Sequence, residues 1–305
     1  MKILVFTEKP FAPAAVKAIE NVVNASGNEI AVVEGGTRED LLEAVKTANG
    51  LIVRSDKIDA AVMDAAPELK VIVRAGAGYD NIDLQAATER GICVMNTPGQ
   101  NSNAVAELVF GMMVLMCRNQ YNGKSGSELK GKSLGIYAFG QVGRNVARIA
   151  KGFDMKVEAL DVFVPDDVIE AEGVKPLHDV NELFSQNDYV SLHIPATPAT
   201  KGSIGYELVM RMPKGGVLVN TARKEVIDED GLIKALEERP DLRYVSDIKP
   251  DKAEEFEQKF GARVFFTPKK MGAQTAEANF NAGVAAAEQA VAYLKDGWNK
   301  YQVNK

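Results

Sequence analysis

The sequence predicts an α/β protein of two doubly wound parallel-sheet lobes, and three observations carry that prediction. Short β-branched runs ending in Gly, Asn, Asp or Arg alternate with amphipathic stretches along all 305 residues. That alternation calls for parallel strands with helices packed on both faces of a sheet. The runs fall into two series, one per lobe. An Ala-rich helical stretch lies beyond the last run of the second series, placed to return the chain to the first lobe.

The first series reads KILVF at 2–6, EIAVV at 29–33, GLIVR at 50–54, KVIVR at 70–74 and ICVMN at 92–96. Near-continuous apolar runs of this length suit strands buried on both faces. Residues 12–23, 38–48, 59–66 and 84–90 repeat apolar side chains at helical spacing and supply the crossovers. The second series is SLGIYAF at 133–139, KVEALD at 156–161, DYVSLHI at 188–194, GVLVN at 216–220, RYVSDI at 243–248 and RVFFT at 263–267.

Two long helices complete the reading. One is expected over 101–119, opened by the capping residues Asn101 and Ser102. It is apolar enough for the two-fold contact of a homodimer or for an interior position. The other, Ala-rich, is expected over 275–296. GKSGSELKGKS at 123–133 reads as a polar, Gly-rich seam between the lobes. The domains expected are 1–100 with 283–305, and 101–282.

Composition narrows the chemistry. The net charge of -6 argues against a nucleic-acid or anionic-membrane surface. Two histidines, His178 and His193, and two cysteines, Cys93 and Cys117, have no metal-ligand spacing, so no metal site is expected. Two cysteines make no disulfide framework. The apolar start at 1–6 is too short for a signal peptide, and the longest apolar stretch, 104–117, falls below the roughly 20 residues a bilayer needs. A soluble, cytoplasmic protein is expected.

The strand SLGIYAF runs into Ala138-Phe139-Gly140-Gln141-Val142-Gly143 and then a helix. This is the dinucleotide fingerprint G-x-G-x-x-G with Ala138 in its first place. Gly140 bares the backbone for a pyrophosphate, Gly143 permits close helix–strand packing, and the helix N-terminus adds partial positive charge. Asp161 ends the next strand, 21 residues past Gly140. A carboxylate there suits the adenosine ribose hydroxyls and repels a 2′-phosphate, which favours NAD over NADP.

Together with VRAGAGYDNID at 73–83, NTPGQNSNAVAEL at 96–108, LHIPAT at 192–197, LVNTAR at 218–223 and TPKKMGAQT at 267–275, this turn resembles the D-2-hydroxyacid dehydrogenase family over nearly the whole chain. Within the family the likeness is greatest to the short phosphoglycerate dehydrogenases. The resemblance implies a Rossmann NAD-binding domain inserted into a flavodoxin-like substrate-binding domain. It implies oxidation of 3-phospho-D-glycerate to 3-phosphohydroxypyruvate, the first step of serine synthesis. Because the chain stops soon after the last helix, no C-terminal regulatory domain is expected.

Carried over, Arg223 would hold the substrate carboxylate, with the amides of Ala77 and Gly78 beside it. Gly140, Gln141, Val142 and Gly143 would meet the pyrophosphate and Asp161 the ribose. Ile194, Thr221, Ala222 and Asp247 would line the nicotinamide half, Asp247 accepting from the carboxamide. His193 would sit near the cofactor, or else be a hydrogen-bonded histidine ending a buried strand; His178 reads as solvated. Arg54 and Arg74, each ending an apolar run, would bind the substrate phosphate, the alternative being two surface ion pairs.

The chain departs from the family at its proton-transfer pair. The family glutamate falls on Lys252, with Glu254 or Glu255 available only through a register shift. The family histidine falls on Lys269 or Lys270, the glycine–alanine anchor at 272–273 favouring Lys270. A lysine amine serves as a base only when its pKa, ordinarily about 10.4, is lowered by burial or a neighbouring cation. Two other functions stand beside the first: reduction of hydroxypyruvate, glyoxylate or another 2-oxo acid, and a non-catalytic NAD(H)-sensing interaction protein.

Overall fold

The computed structural model describes residues 1–304. It divides into two compact units, unit 1 comprising Met1–Asn101 with Gln274–Lys305 and unit 2 comprising Ser102–Ala273.

Unit 1 carries a five-stranded sheet, β1 (Lys2–Thr7), β2 (Glu29–Glu34), β3 (Gly50–Val53), β4 (Val71–Arg74) and β5 (Cys93–Asn96). The order is β2-β1-β3-β4-β5, and every pair is parallel. Successive residues of a strand face opposite sides. Leu4 and Phe6 therefore join one core with Leu51, Ile72 and Val94, while Ile3 and Val5 join the other with Ile52, Val71 and Met95. Each such side chain contributes about 2 kcal/mol through burial, which is why both registers are apolar.

The second core is closed by the helices Pro13–Ala25 and Ala276–Asp296, which pack on each other. The latter is capped by Thr275, which accepts from the Ala278 amide, and stopped by the left-handed Gly297. Its alanines 282, 286, 287 and 290 are buried. The whole helix belongs to unit 1, whose second segment begins at Gln274 rather than at the expected 283.

Unit 2 carries seven parallel strands: β6 (Ser133–Tyr137), β7 (Lys156–Leu160), β8 (Lys175–Leu177), β9 (Tyr189–Leu192), β10 (Val217–Asn220), β11 (Arg243–Ser246) and β12 (Val264–Phe266). Their order is β12-β11-β10-β9-β6-β7-β8. Counted from β6, this is the doubly wound order 3-2-1-4-5-6 of dinucleotide-binding sheets, extended by one strand. Strand β8 was not expected. It has three residues, includes Pro176 and lies at the sheet edge, where a missing ladder donor is tolerated.

The helix Ser102–Cys117 packs against the helix Gln141–Gly152 within unit 2. Nine of its sixteen residues are buried, and Phe110 stacks on Phe153 with ring centroids 5.1 Å apart. The polar segment 123–133 consequently lies inside unit 2 rather than between lobes. Among the described residues no helix is long and apolar enough to cross a membrane, and no group of His, Cys, Asp and Glu has the makings of a metal site. Cys93 and Cys117 are free and buried.

Candidate active site

In open parallel sheets ligands bind beyond the carboxyl ends of the strands, where the strand order reverses. In unit 2 that point lies between β6 and β9. Strand β6 runs directly into the glycine turn. Ala138 adopts φ 80°, the left-handed conformation that a first glycine would supply. Gly140 caps the helix Gln141–Gly152, whose first turn holds no acidic residue. A Cβ on Gly140 would meet nothing within 4 Å, whereas one on Gly143 would collide with the Ala138 carbonyl. The two glycines thus differ in purpose: Gly143 lets helix and strand touch, and Gly140 leaves open space at a helix N-terminus. An exposed Gln141 and a partly buried Val142 follow. These features fit a dinucleotide pyrophosphate.

Asp161 stands across from this turn, partly buried. Its Oδ2 accepts from the Phe139 amide at 2.7 Å, and its Oδ1 from Phe163 and Val164 at 2.8 and 3.1 Å. The carboxylate fixes both loops, and of its roughly four acceptor positions one is left for a ribose hydroxyl.

Beyond β9, the His193 amide continues the sheet by donating to Tyr137 at 2.9 Å. The imidazole lies between the hydroxyls of Ser191, 3.0 Å from Nε2, and Thr221, 3.3 Å from Nδ1. Burial pushes its pKa down to about 3, so the ring is neutral, donating from one nitrogen and accepting at the other. The imidazole is thus hydrogen-bonded on both sides at the end of a strand. Ile194, Thr221 and Ala222 are buried around it. His178 pairs at the surface with Asp166.

Arg223 extends from the end of β10, partly buried, its Nη1 donating to the Ala222 carbonyl at 2.9 Å. The Asn220 side chain holds this corner, accepting from the Ala222 amide and donating to the Arg223 carbonyl. Lys269 and Lys270 lie beyond β12 and are exposed, so the burial anticipated for a lysine base is not provided by unit 2. Lys252 has taken the family glutamate's place and pairs with Asp230. Glu255 bonds Lys259 along the helix Ala253–Phe260, and Glu254 is exposed in its first turn.

Asp247 makes contacts that the sequence gives no sign of. It is fully buried, and its carboxylate accepts from the amides of Met271 and Gly272 at 2.7 and 2.8 Å, with the Thr267 hydroxyl 3.0 Å from Oδ1. These are donors of its own chain. The carboxylate that the resemblance assigns to a carboxamide thus also holds the segment bearing the lysines, with acceptor capacity left over.

In unit 1, Arg54 follows β3 and Arg74 ends β4. Arg54 is not part of a surface ion pair. Its Nη1 donates to the carbonyls of Lys9 and Pro10 at 3.0 Å each, its Nη2 to Asn279 Oδ1 at 2.5 Å, and its guanidinium lies over the Phe11 ring. Burial lowers its pKa from the ordinary arginine value. Arg74 Nε donates to the Arg54 carbonyl at 2.9 Å. The guanidinium folds over Gly76, which has φ 152° and no room for a Cβ beside Arg74 Nη1. The next turn presents an exposed Ala77 and a half-buried Gly78. Sequence reasoning missed Gly76, Asn279 and Thr267; an R-x-G spacing at 74–76 is the only local signal for any of them.

The D-isomer specific 2-hydroxyacid dehydrogenase catalytic-domain model matches residues 3–304. A D-3-phosphoglycerate dehydrogenase of Methanocaldococcus jannaschii is 39% identical over 304 residues, covering 95% of this chain and 56% of the relative. A hydroxypyruvate reductase of Thermotoga maritima is 35% identical over 271 residues, covering 83% of this chain and 87% of the relative. The chain thus spans a little over half the length of the first of these. The crystal structure of NAD+-bound 3-phosphoglycerate dehydrogenase from Entamoeba histolytica superposes with a TM-score of 0.88 at 48% identity, covering 100% of this chain and 99% of that one. With a dinucleotide turn, a strand-end arginine and a family match along essentially its whole length, the chain belongs to the D-isomer-specific 2-hydroxyacid dehydrogenase family.

Proposed function

We propose that this protein oxidises 3-phospho-D-glycerate to 3-phosphohydroxypyruvate with NAD. The observation carrying this reading is the 48% identity, over 100% of this chain and 99% of the other, to the NAD+-bound 3-phosphoglycerate dehydrogenase. The turn from Gly140 to Gly143 would hold the pyrophosphate and Asp161 the ribose, while Ile194, Thr221 and Ala222 would bound the nicotinamide half. NAD, when bound, supplies the hydride acceptor.

The chain's own residues would do the remainder. Arg223 grips the substrate carboxylate through two parallel N–H donors, and its permanent charge polarises the reacting centre. In unit 1, the amides of Ala77 and Gly78 are carboxylate donors, and Arg74 with the remaining donors of Arg54 recognises phosphate. As the C2 hydride leaves with its electron pair, the hydroxyl proton passes to the neutral amine of Lys270 or Lys269, and the C2–O bond becomes a carbonyl. Only the neutral amine accepts, so oxidation should quicken as pH rises through the alkaline range.

NADH formation by the purified protein, with 3-phosphoglycerate, glycerate and lactate compared, tests the reading. A kcat/KM at least about 100-fold higher for 3-phosphoglycerate is expected, two charge-assisted contacts to phosphate being worth about 3 kcal/mol together. Equal rates on glycerate would sink the phosphate assignment. The Thermotoga maritima relative, 87% of whose length is matched, supports a second reading as a hydroxypyruvate reductase. Faster reduction of hydroxypyruvate than of its 3-phosphate favours that one. Partly exposed Leu108, Val114 and Leu115 on the helix Ser102–Cys117 support a homodimer, which light scattering in solution tests.

A further inference from the structure

We propose that Asp247 is a positioning residue, a buried carboxylate that fixes the arch carrying Lys269 and Lys270. The proposal rests on the reading of those lysines as proton acceptors. It adds to the cofactor contact that the family resemblance implies for this residue, since the carboxylate keeps acceptor capacity beside Met271 and Gly272.

The segment from Thr267 to Gly272 leaves β12 and returns beside the end of β11. Its first residue is anchored twice, the Thr267 amide donating to the Ser246 carbonyl at 3.1 Å and the hydroxyl to the Asp247 carbonyl at 2.7 Å. Its last two residues are anchored by the carboxylate, Met271 on Oδ1 and Gly272 on Oδ2. The Thr267 hydroxyl also lies 3.0 Å from Oδ1. Between the anchors Pro268, Lys269 and Lys270 are all exposed. Asp247 therefore ties both feet of a three-residue arch whose top bears both lysines, the first through its carbonyl and the second through its carboxylate. The Asp247 amide itself donates to the Asn220 carbonyl at 3.0 Å, so the tie is rooted in the sheet beside the corner that carries Arg223.

Only a carboxylate meets the demand. Two backbone N–H donors approach different oxygens, and an amide has only one oxygen, its NH2 necessarily opposing the other donor. Gly272 is required as well, because a Cβ there would lie 2.8 Å from Asp247 Oδ2. Charge-assisted bonds in a buried setting are stronger than neutral ones and costly to leave half made.

The test is Asp247→Asn in the full chain, read three ways. Limited trypsinolysis after Lys269 and Lys270 should accelerate at least 10-fold, amide exchange at Met271 and Gly272 should rise similarly, and kcat should fall at least 10-fold. The dissociation constant of ADP-ribose, which lacks the nicotinamide, should stay within two-fold when measured by calorimetry. Cleavage and exchange at parental rates would overturn the proposal, and a loss of NAD affinity beside them would confine Asp247 to the carboxamide role. Should Asp247→Asn fail to fold, Thr267→Val removes a single bond and should give about three-fold effects on the same readouts; parental values there overturn it also. The lysine reading fails separately: a Lys269→Met, Lys270→Met double variant with parental single-turnover rates removes the base, while the exchange measurement still decides whether Asp247 holds the arch.

Discussion

The two units apply one topological rule and use it differently. In unit 2 the strand-order reversal between β6 and β9 is left open, with a bare Gly140 and a helix N-terminus at its mouth. In unit 1 the corresponding reversal lies between β1 and β3, and the protein fills it itself. Arg54 reaches from the end of β3 to the Lys9 and Pro10 carbonyls beyond β1, and Asp56 accepts from the amides of Glu8 and Arg54. Most of the residues proposed to bind substrate in unit 1 sit one strand further along, where Arg74 folds over Gly76 ahead of Ala77 and Gly78. A doubly wound sheet thus says where a crevice forms; the side chains at strand ends decide whether a ligand or the chain occupies it.

Two glycine substitutions break that comparison most sharply. Gly143→Ala puts a Cβ against the Ala138 carbonyl, a backbone atom that moves only with the turn itself. We expect NAD affinity to fall at least 30-fold, about 2 kcal/mol, by calorimetry, with stability lowered by a similar amount. Gly76→Ala puts its Cβ against Arg74 Nη1, the far end of a flexible side chain, at a φ that suits only glycine. Here NAD affinity should be unchanged and the KM for 3-phosphoglycerate should rise about 10-fold. An equal loss of NAD affinity in both variants would refute the division of labour between the units.

How much of this was legible in the sequence depended on whether a residue acts locally. Eleven of the twelve strands announced themselves as apolar runs, and β8 escaped because KPL is too short and contains a proline. The glycine turn and Asp161 were readable because their spacing is set by one strand, one helix and the next strand. Arg54 and Asp247 were not. Their partners include Asn279, 225 positions from Arg54, and Gly272, 25 positions from Asp247. No periodicity ties those positions together, and only the closed fold brings the donors to the acceptors. The exposure of the two lysines was equally invisible, since KK in a loop reads alike whether it is packed or solvated.

His193 gives the next effect in size, and it separates a structural imidazole from a catalytic one. Unfolded, the ring titrates near 6.5; folded, burial holds it to about 3. Between those values the unfolded chain binds the extra proton, so this group lowers stability as pH falls from about 6.5 toward 3 and has no effect above. The cost by pH 5 is about 2 kcal/mol. His193→Gln keeps a donor and an acceptor for Ser191 and Thr221 but cannot titrate. Chemical denaturation at pH 7 and pH 5 should therefore show the variant losing about 2 kcal/mol less than the parent. Activity between pH 6 and 9 should show no limb that disappears with this substitution, because the ring is already neutral throughout.

The smallest expected effect lies at Ala138, which does with an L side chain what the fingerprint normally asks of glycine. Its left-handed φ costs about 1–2 kcal/mol. Replacement by glycine relieves that, but frees the unfolded chain by about 0.5–1 kcal/mol and removes a partly buried methyl worth up to about 0.8 kcal/mol. The terms nearly cancel, and Ala138→Gly should move the denaturation free energy by less than about 0.5 kcal/mol. Ala138→Val should cost at least about 2 kcal/mol, since a β-branched side chain is far less tolerant of positive φ. A similar small effect for both would mean that the turn relaxes to negative φ in solution. Unit 2 would then owe its open switch point to Gly140 and Gly143 alone.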